Sequence, residues 1–244
     1  MFCLSMVTMN RRDTLARVLE AIIATTQREA EAEGVAIYVT DNGSTDDTPD
    51  MPREMEAAGK LKAWCLPENA GTERGRNITH WPLCIGHDTV RIDDKVLMLA
   101  PGWLTVLRLQ SQRNHSIVAT PYDPTVLPLH ALAPPLGYLN WAENRGRGGP
   151  LLVIPGEVTS ALGGCDELHP DHKYGFTDCL YIERAMLLGW KFGFSLRCPV
   201  EYLAKADPGR RNSAMQWHEL YCQRSKEYTD GERDVYIPVG VSDA

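Results

Sequence analysis

Through residue 66 the chain alternates between apolar runs and amphipathic stretches whose period shifts from strand to helix and back. Phe2–Thr8 is almost wholly apolar and breaks at the polar Asn10, Arg11 and Arg12, which predicts a buried strand. From Asp13 the apolar residues recur every three or four positions (Leu15, Val18, Leu19, Ile22, Ile23). That spacing predicts one helix to Gly34, with Asp13 favouring its start. Residues 35–39 form a second apolar run leading into Asp41, Asn42, Gly43 and Ser44. An amphipathic segment over 49–58 stops at Gly59, and 61–66 reads as a third strand. Strand–helix–strand–helix–strand is the pattern of a parallel sheet with helical crossovers.

Farther along, the spacing predicts a polar Gly/Asn/Arg stretch over 68–77, a short strand at 89–92, a helix from about Pro101 and a strand at 117–120. Residues 121–150 hold prolines at 121, 124, 128, 134, 135 and 150 and glycines at 137, 146, 148 and 149, and read as a long irregular loop. Order resumes at 151–154, followed by a helix up to Gly163 and Gly164, a helix after Asp178 ending at Gly189, and a last helical segment over 215–224. No internal repeat or low-complexity tract interrupts this order.

Composition narrows the function classes. Twenty-five Lys and Arg against thirty-two Asp and Glu give a net charge of −7, which argues against duplex binding except through a local basic patch. At 244 residues, roughly 70–75% of the unfolded surface can be buried, and one domain is the default. No apolar run reaches the ~18–20 residues of a membrane span, and the first run is too short for a secretory signal. The seven cysteines contain no CxxC pair, which suits reduced thiols in a cytoplasmic protein.

The polar residues cluster where strands end, which is where open α/β sheets bind ligands. Thr8, Asn10 and Arg11 close the first strand, and Asp41 the second. Asn69, Gly71, Arg74, Arg76 and Asn77 follow the third, and Asp93, Asp94 and Lys95 the fourth. Taken singly, each is an ordinary turn, cap or surface cation. Together they describe a site for a polar, anionic ligand: Arg74, Arg76 and Lys95 would balance a phosphate, and a helix start near Thr72 would add backbone N–H groups.

The runs "NRRDTLARVLEAI", "VAIYVTDNGSTDDT", "PENAGTERGRN", "RIDDKVLMLAPGW", "SALGGCDE" and "YGFTDCLYIERAMLLGWK" stand in this order over residues 2 to about 194. In that combination the chain resembles the nucleotide-sugar-dependent glycosyltransferases of the GT-A fold, family 2. The resemblance implies a single α/β domain with a Rossmann-like, mixed but mostly parallel sheet flanked by helices. It divides residues 1–244 into a nucleotide-sugar-binding half (1–100), an acceptor-side half (101–210) and a C-terminal helix and tail (211–244). It further implies that Asp41 meets the nucleotide base beside Thr8 and Asn10. Asn69, Gly71, Arg76 and Asn77 would close around base and diphosphate. Asp93 and Asp94 would lie in the DxD region that meets ribose and metal. Asp178, preceded by Thr177, would be the general base of an inverting transfer to an acceptor hydroxyl.

Two departures from the family pattern concern the metal. Lys95 stands where a metal-binding acid is usual, and Tyr202 where a His is usual. The paired loss favours a metal-independent donor site in which Lys95 stabilises the departing diphosphate. Asp94 and His218 are the ligands if Mn or Mg is bound. A UDP-sugar is the favoured donor. A glycan, a lipid-linked sugar, a protein side chain or a modified nucleic-acid base is the acceptor. His169 to His172 reads as an acceptor-side loop rather than a zinc site. Trp64 and Trp103 read as core, and Trp141 as a ring for stacking on the acceptor. Competing classes are a nucleotidyltransferase, which would want glycine after the first strand, and a non-catalytic nucleotide-sugar-binding module. A nicotinamide dehydrogenase is the least favoured class, since no GxGxxG follows that strand.

Overall fold

β1 (Phe2–Thr8) is the strand around which the rest is built, and its side chains alternate between two apolar layers. Phe2, Leu4 and Met6 face one core with Leu15, Val18, Leu19 and Ile22 of α1 (Arg12–Thr25). Cys3 faces the other core, with Trp81, Ile117, Leu152 and Tyr181. This is the period-2 geometry of a strand buried on both faces. The computed structural model describes residues 1–98, 100–120, 141–143, 149–169, 171, 176–195, 198, 200–203 and 217–239.

β2 (Val35–Asn42) and β4 (Asp88–Ile92) flank β1 in parallel, and β3 (Lys62–Leu66) lies parallel outside β2. α3 (Asp50–Ala57) makes the crossover from β2 to β3, and α4 (Thr72–Ile78) lies between β3 and β4. Four more strands complete the sheet: β6 (Ser116–Thr120), β7 (Trp141–Glu143), β8 (Leu151–Ile154) and β9 (Lys191–Ser195). The order among the described residues is β3-β2-β1-β4-β8-β6-β9-β7. β8 runs antiparallel to β4 and β6, β9 parallel to β6, and β7 antiparallel to β9. The expected mixed, mostly parallel sheet is therefore present. α5 (Trp103–Asn114), α6 (Gly156–Leu162) and α7 (Thr177–Leu187) pack on it, and α8 (His218–Thr229) packs on α7. No helix among the described residues is long and apolar enough to cross a membrane.

Several expectations are corrected. The helix expected from Asp13 to Gly34 is two helices, α1 and α2 (Gln27–Glu33), parted at Thr26. The hydroxyls of Thr25 and Thr26 bond back to the carbonyls of Ala21 (2.7 Å) and Ile22 (2.8 Å), an alternative to the helix ladder that bends it. Part of the expected irregular loop is strand: residues 141–143 pair with β9, and the rest of 121–148 lies outside the described residues. β5 (Val96–Met98) and β10 (Val200–Tyr202), not expected, form a separate antiparallel ribbon. The last helix continues past Arg224 to Thr229. Trp103 is core as expected, whereas Trp64 is only half-buried, with the Lys62 ammonium 5.1 Å from its ring centre.

Candidate active site at the carboxyl edge of the sheet

Because β1 to β4 are parallel, their polar ends open on one edge. Thr8 is in register with Asp41 across β1 and β2. Asp41 is fully buried, and its carboxylate accepts from the Ser44 amide (3.0 Å) and the Ser44 hydroxyl. Asn10 donates its amide to the Ser44 hydroxyl (2.8 Å), and its side-chain oxygen accepts from the Thr45 amide (2.8 Å). Asn10 sits at φ +54°, a region that Asn tolerates better than most residues. The second loop is laced to the third. Asn42 donates to Asn69 (3.0 Å), and Asn69 in turn accepts from the Gly71 amide (2.9 Å). Gly43, at φ +74°, lets them meet: a Cβ there would stand 2.3 Å from the Glu68 carbonyl carbon. Beside these loops lies a cavity of about 440 Å³ bordered by Asn10, Arg11, Arg12, Asp46 and Asp47.

After β4 the acids are held in two different ways. Asp94 is buried and accepts from the Thr8 hydroxyl (2.9 Å), with Arg11 Nε 3.6 Å away. Asp93 has Lys95 Nζ 3.8 Å away and the Tyr202 hydroxyl 3.4 Å away, both at Oδ2. The β5–β10 ribbon sets Tyr202 opposite Val96, and the Lys95 ammonium lies 5.2 Å from the Tyr202 ring centre. Lys95 and Tyr202, the two residues whose identities bear on a metal, are thus neighbours. Burial pushes the Asp93 carboxyl above its usual range, and Lys95 opposes that only in part.

A third group had not been expected. Arg91, in the middle of β4, has its Nη2 2.6 Å from Glu73 Oε1 and 2.6 Å from Asp178 Oδ1. Arg76 Nη1 reaches the same Glu73 oxygen at 2.8 Å. Desolvation of its partly buried side chain raises the Asp178 carboxyl above its ordinary range, with Arg91 pulling it back and Glu73 pushing it up. Asp93 adds to the same upward push. Among the described residues, the ion pairs here join Arg11, Arg76, Arg91 and Lys95 to Glu73, Asp93, Asp94 and Asp178. Arg91 carried a signal in the sequence: a charge between Val90 and Ile92 of an apolar strand requires a buried partner.

Other expected residues are placed as follows. Arg74 is exposed. Asn77 is spent on the 163–168 segment: it donates to the Cys165 carbonyl and Glu167 and accepts from the Cys165 amide, each at 2.9 Å. His218 is exposed at the start of α8, its ring 5.5 Å from Phe176 and both ring nitrogens 3.8 Å from Cys222 Sγ. Thr177 and Trp141 open α7 and β7, and their side chains lie outside the described residues, as do Pro170 and His172.

Aromatic rings from the 169–176 region pair with rings of the last helical segment. Phe176 stacks on Tyr221 (4.7 Å between centres), and His169 stacks on Trp217 (5.3 Å). Phe176 sits at φ +58°, an unusual conformation for a bulky side chain, of the kind that clusters at functional sites. The "GGCDE" run is structural at Asp166, which accepts from Arg224 (2.6 and 2.8 Å) and the Tyr228 hydroxyl (2.6 Å). Buried Arg184 donates to the main-chain carbonyls of Leu162 (2.5 Å), Gly164 (2.8 Å) and Val235 (2.7 Å). Among the described residues no three His, Cys, Asp or Glu side chains form a group that could hold a metal ion.

No protein-family model and no curated protein sequence matches the chain. Solved structures do. The mannosyltransferase PcManGT from Pyrobaculum calidifontis, in complex with GDP-Man and Mn2+, aligns with 96% of this chain at a TM-score of 0.66 and 19% identity. GalNAc-T7 with UDP, GalNAc and Mn2+ aligns with 95% at 0.65 and 14% identity. TarS from S. aureus aligns with 93% at 0.65 and 14% identity. The chain spans 64%, 50% and 39% of the lengths of these three. At such identities the likeness is one of fold.

Proposed function

From the GT-A fold as premise, we propose that the chain is a glycosyltransferase that moves a sugar from a UDP-sugar to an acceptor hydroxyl with inversion. The observation that carries this reading is the ion pair between Asp178 and Arg91 of β4, the strand whose end runs on into Asp93, Asp94 and Lys95 at the open edge of the sheet. Asp178 takes the proton of the acceptor hydroxyl as its oxygen attacks the anomeric carbon, and the bond to the nucleoside diphosphate breaks on the opposite side. One displacement inverts that carbon. Asp41, Thr8, Asn10 and the 69–71 loop bind the nucleoside. Arg76 and Lys95 face the negative charge that grows on the leaving oxygen, where a fixed cation is most effective in a partly dry site.

A divalent ion, which the fold family implies, fits these residues poorly. An ammonium 3.8 Å from Asp93 Oδ2 and an aromatic ring beside it supply neither the charge nor the oxygen ligands such an ion requires. No step here is routed through a metal. Phe176, two residues before Asp178 and stacked on Tyr221, supplies an aromatic surface that suits the apolar face of an acceptor sugar.

The test is a thermal-shift panel of nucleotide sugars with and without manganese, followed by assay of UDP release. Stabilisation by UDP-sugars with turnover is expected. Binding without turnover identifies a non-catalytic nucleotide-sugar-binding module, and pyrophosphate release from a nucleoside triphosphate identifies a nucleotidyltransferase.

A further inference from the structure

Arg91 is the charged residue least expected in its setting. It lies in register with Ser5 of β1 on one side and Leu152 of β8 on the other, and only 3% of it is exposed. Val90 and Ile92, its neighbours, show what the strand otherwise carries. A buried ion pair often stabilises a fold no better than apolar residues of the same volume, so stability alone is a weak reason for one here. The guanidinium is also immobilised. Its carbon lies 5.9 Å from the ring centres of both Trp81 and Tyr181, which pack edge to face, and Trp81 is tied to the Gly163 carbonyl by a 2.9 Å hydrogen bond.

We propose that Glu73 and Arg91 form a positioning relay for Asp178. Helix α4 supplies the anchoring carboxylate, β4 the guanidinium, and the guanidinium fixes one oxygen of Asp178 so that the other faces the acceptor. A single nitrogen, Nη2, serves both carboxylates at 2.6 Å each. Glu73 is shared between Arg76 and Arg91, so its one negative charge sits between two cations and leaves one positive charge for Asp178. The Asp178 side chain is 33% exposed while its partner is buried, so the carboxylate is held from behind and open in front. The relay rests on the reading of Asp178 as the base. Arg91 and Glu73 are positioning residues, since neither is required to touch the substrate.

The charged groups around Asp178 give the relay a distinctive signature. Arg91 and Arg76 favour its ionised form, whereas Glu73 and Asp93 disfavour it. Neutralising Arg91 and neutralising Glu73 therefore shift the ionisation of Asp178 in opposite directions, although both loosen its position. A purely structural role would lower turnover in both variants without that divergence.

The experiment measures UDP release from a UDP-sugar, with water as acceptor, across a pH series. The proteins are the parent, Arg91→Gln, Arg91→Lys, Glu73→Gln and, as reference, Asp178→Asn, each checked for cooperative unfolding. A misplacement of about 1 Å in a catalytic group can cost on the order of 10²-fold in rate, and a fall in kcat of up to about that size is expected for Arg91→Gln and Glu73→Gln. The acid limb moves to higher pH in Arg91→Gln, to lower pH in Glu73→Gln, and stays near the parent's in Arg91→Lys. If Arg91→Gln fails to fold, the downward shift in Glu73→Gln against the unmoved limb of Arg91→Lys carries the test. An acid limb unmoved in every folded variant, while Asp178→Asn is inactive, overturns the relay and leaves the base assignment standing. Near-parent turnover by Asp178→Asn overturns both.

Discussion

The ammonium of Lys95 lies 5.2 Å from the centre of the Tyr202 ring, and both residues turn their polar ends to Asp93 Oδ2. A cation beside an aromatic face and a carboxylate is held in place without a metal. Transfer is expected to persist in excess chelator. Removing one donor aimed at a developing oxyanion costs roughly 10²–10³ in rate, and a loss of that order is expected for Lys95→Ala. Manganese should not restore it. A crystal soaked with donor and manganese that shows an ion on Asp94, with activity lost to chelator, would reverse this assignment.

Asp178→Asn should leave UDP affinity close to the parent's while depressing transfer by about 10²–10⁴-fold, the usual effect of losing a general base. The same variant tests the electrostatics through stability. The folded Asp178 carboxyl titrates above its unfolded value, so the folded state binds that proton more tightly. Its contribution to stability is full below the unfolded pKa and is lost as pH rises through the folded one. Denaturant midpoints of parent and Asp178→Asn, followed from about pH 4 to pH 7, should therefore shift in favour of the variant as pH rises. Parallel midpoints would contradict it.

Asp41 is buried and its carboxylate is oriented by Ser44, which preorganises it to accept from a base. A hydrogen bond to a charged group contributes roughly 1.5–3 kcal/mol, so Asp41→Ala should weaken UDP binding by about ten- to a hundredfold by calorimetry. Ser44→Ala should weaken it less, because the carboxylate remains. Unchanged affinity in a folded Asp41→Ala protein would move the base elsewhere.

Gly43→Ala tests the loop packing rather than the chemistry. The position has φ +74°, and the added methyl would meet the Glu68 main chain. Strain of this type costs about 1–3 kcal/mol, and a lowered denaturant midpoint of that size is expected. A midpoint equal to the parent's would show that the 68–69 segment yields.

Where the sequence was legible, the information was local. β1, β2 and α1 show their periods over seven or more residues, and the polar residues that end β1, β2 and β4 mark the site edge directly. β5 and β10 escaped notice because each has three residues and exists only through the other. The Thr25–Thr26 break escaped because apolar spacing says nothing of hydroxyls bonding back to the helix. In the site, Asp93, Asp94 and Lys95 were identified together, but the partner of Asp178 was not. Arg91 announces only that it needs a partner. That Glu73 and Asp178 supply it depends on how α4 and α7 approach β4, which no short stretch of sequence encodes.

Arg184 binds main-chain carbonyls, so what it holds is a path of the chain rather than particular side chains. The segment it captures pairs with the end of α6 through Ile237, whose amide reaches the Leu162 carbonyl at 2.8 Å. In hydrogen-exchange terms, the amides of Gly164 and Ile237 belong with those of the core, although the second lies far along the chain in a stretch without regular structure. The 163–168 segment is thus held from two directions, by Asn77 and by residues 235–237. Residues far along the chain therefore brace this side of the molecule through main-chain hydrogen bonds, while none of their side chains is assigned to the chemistry.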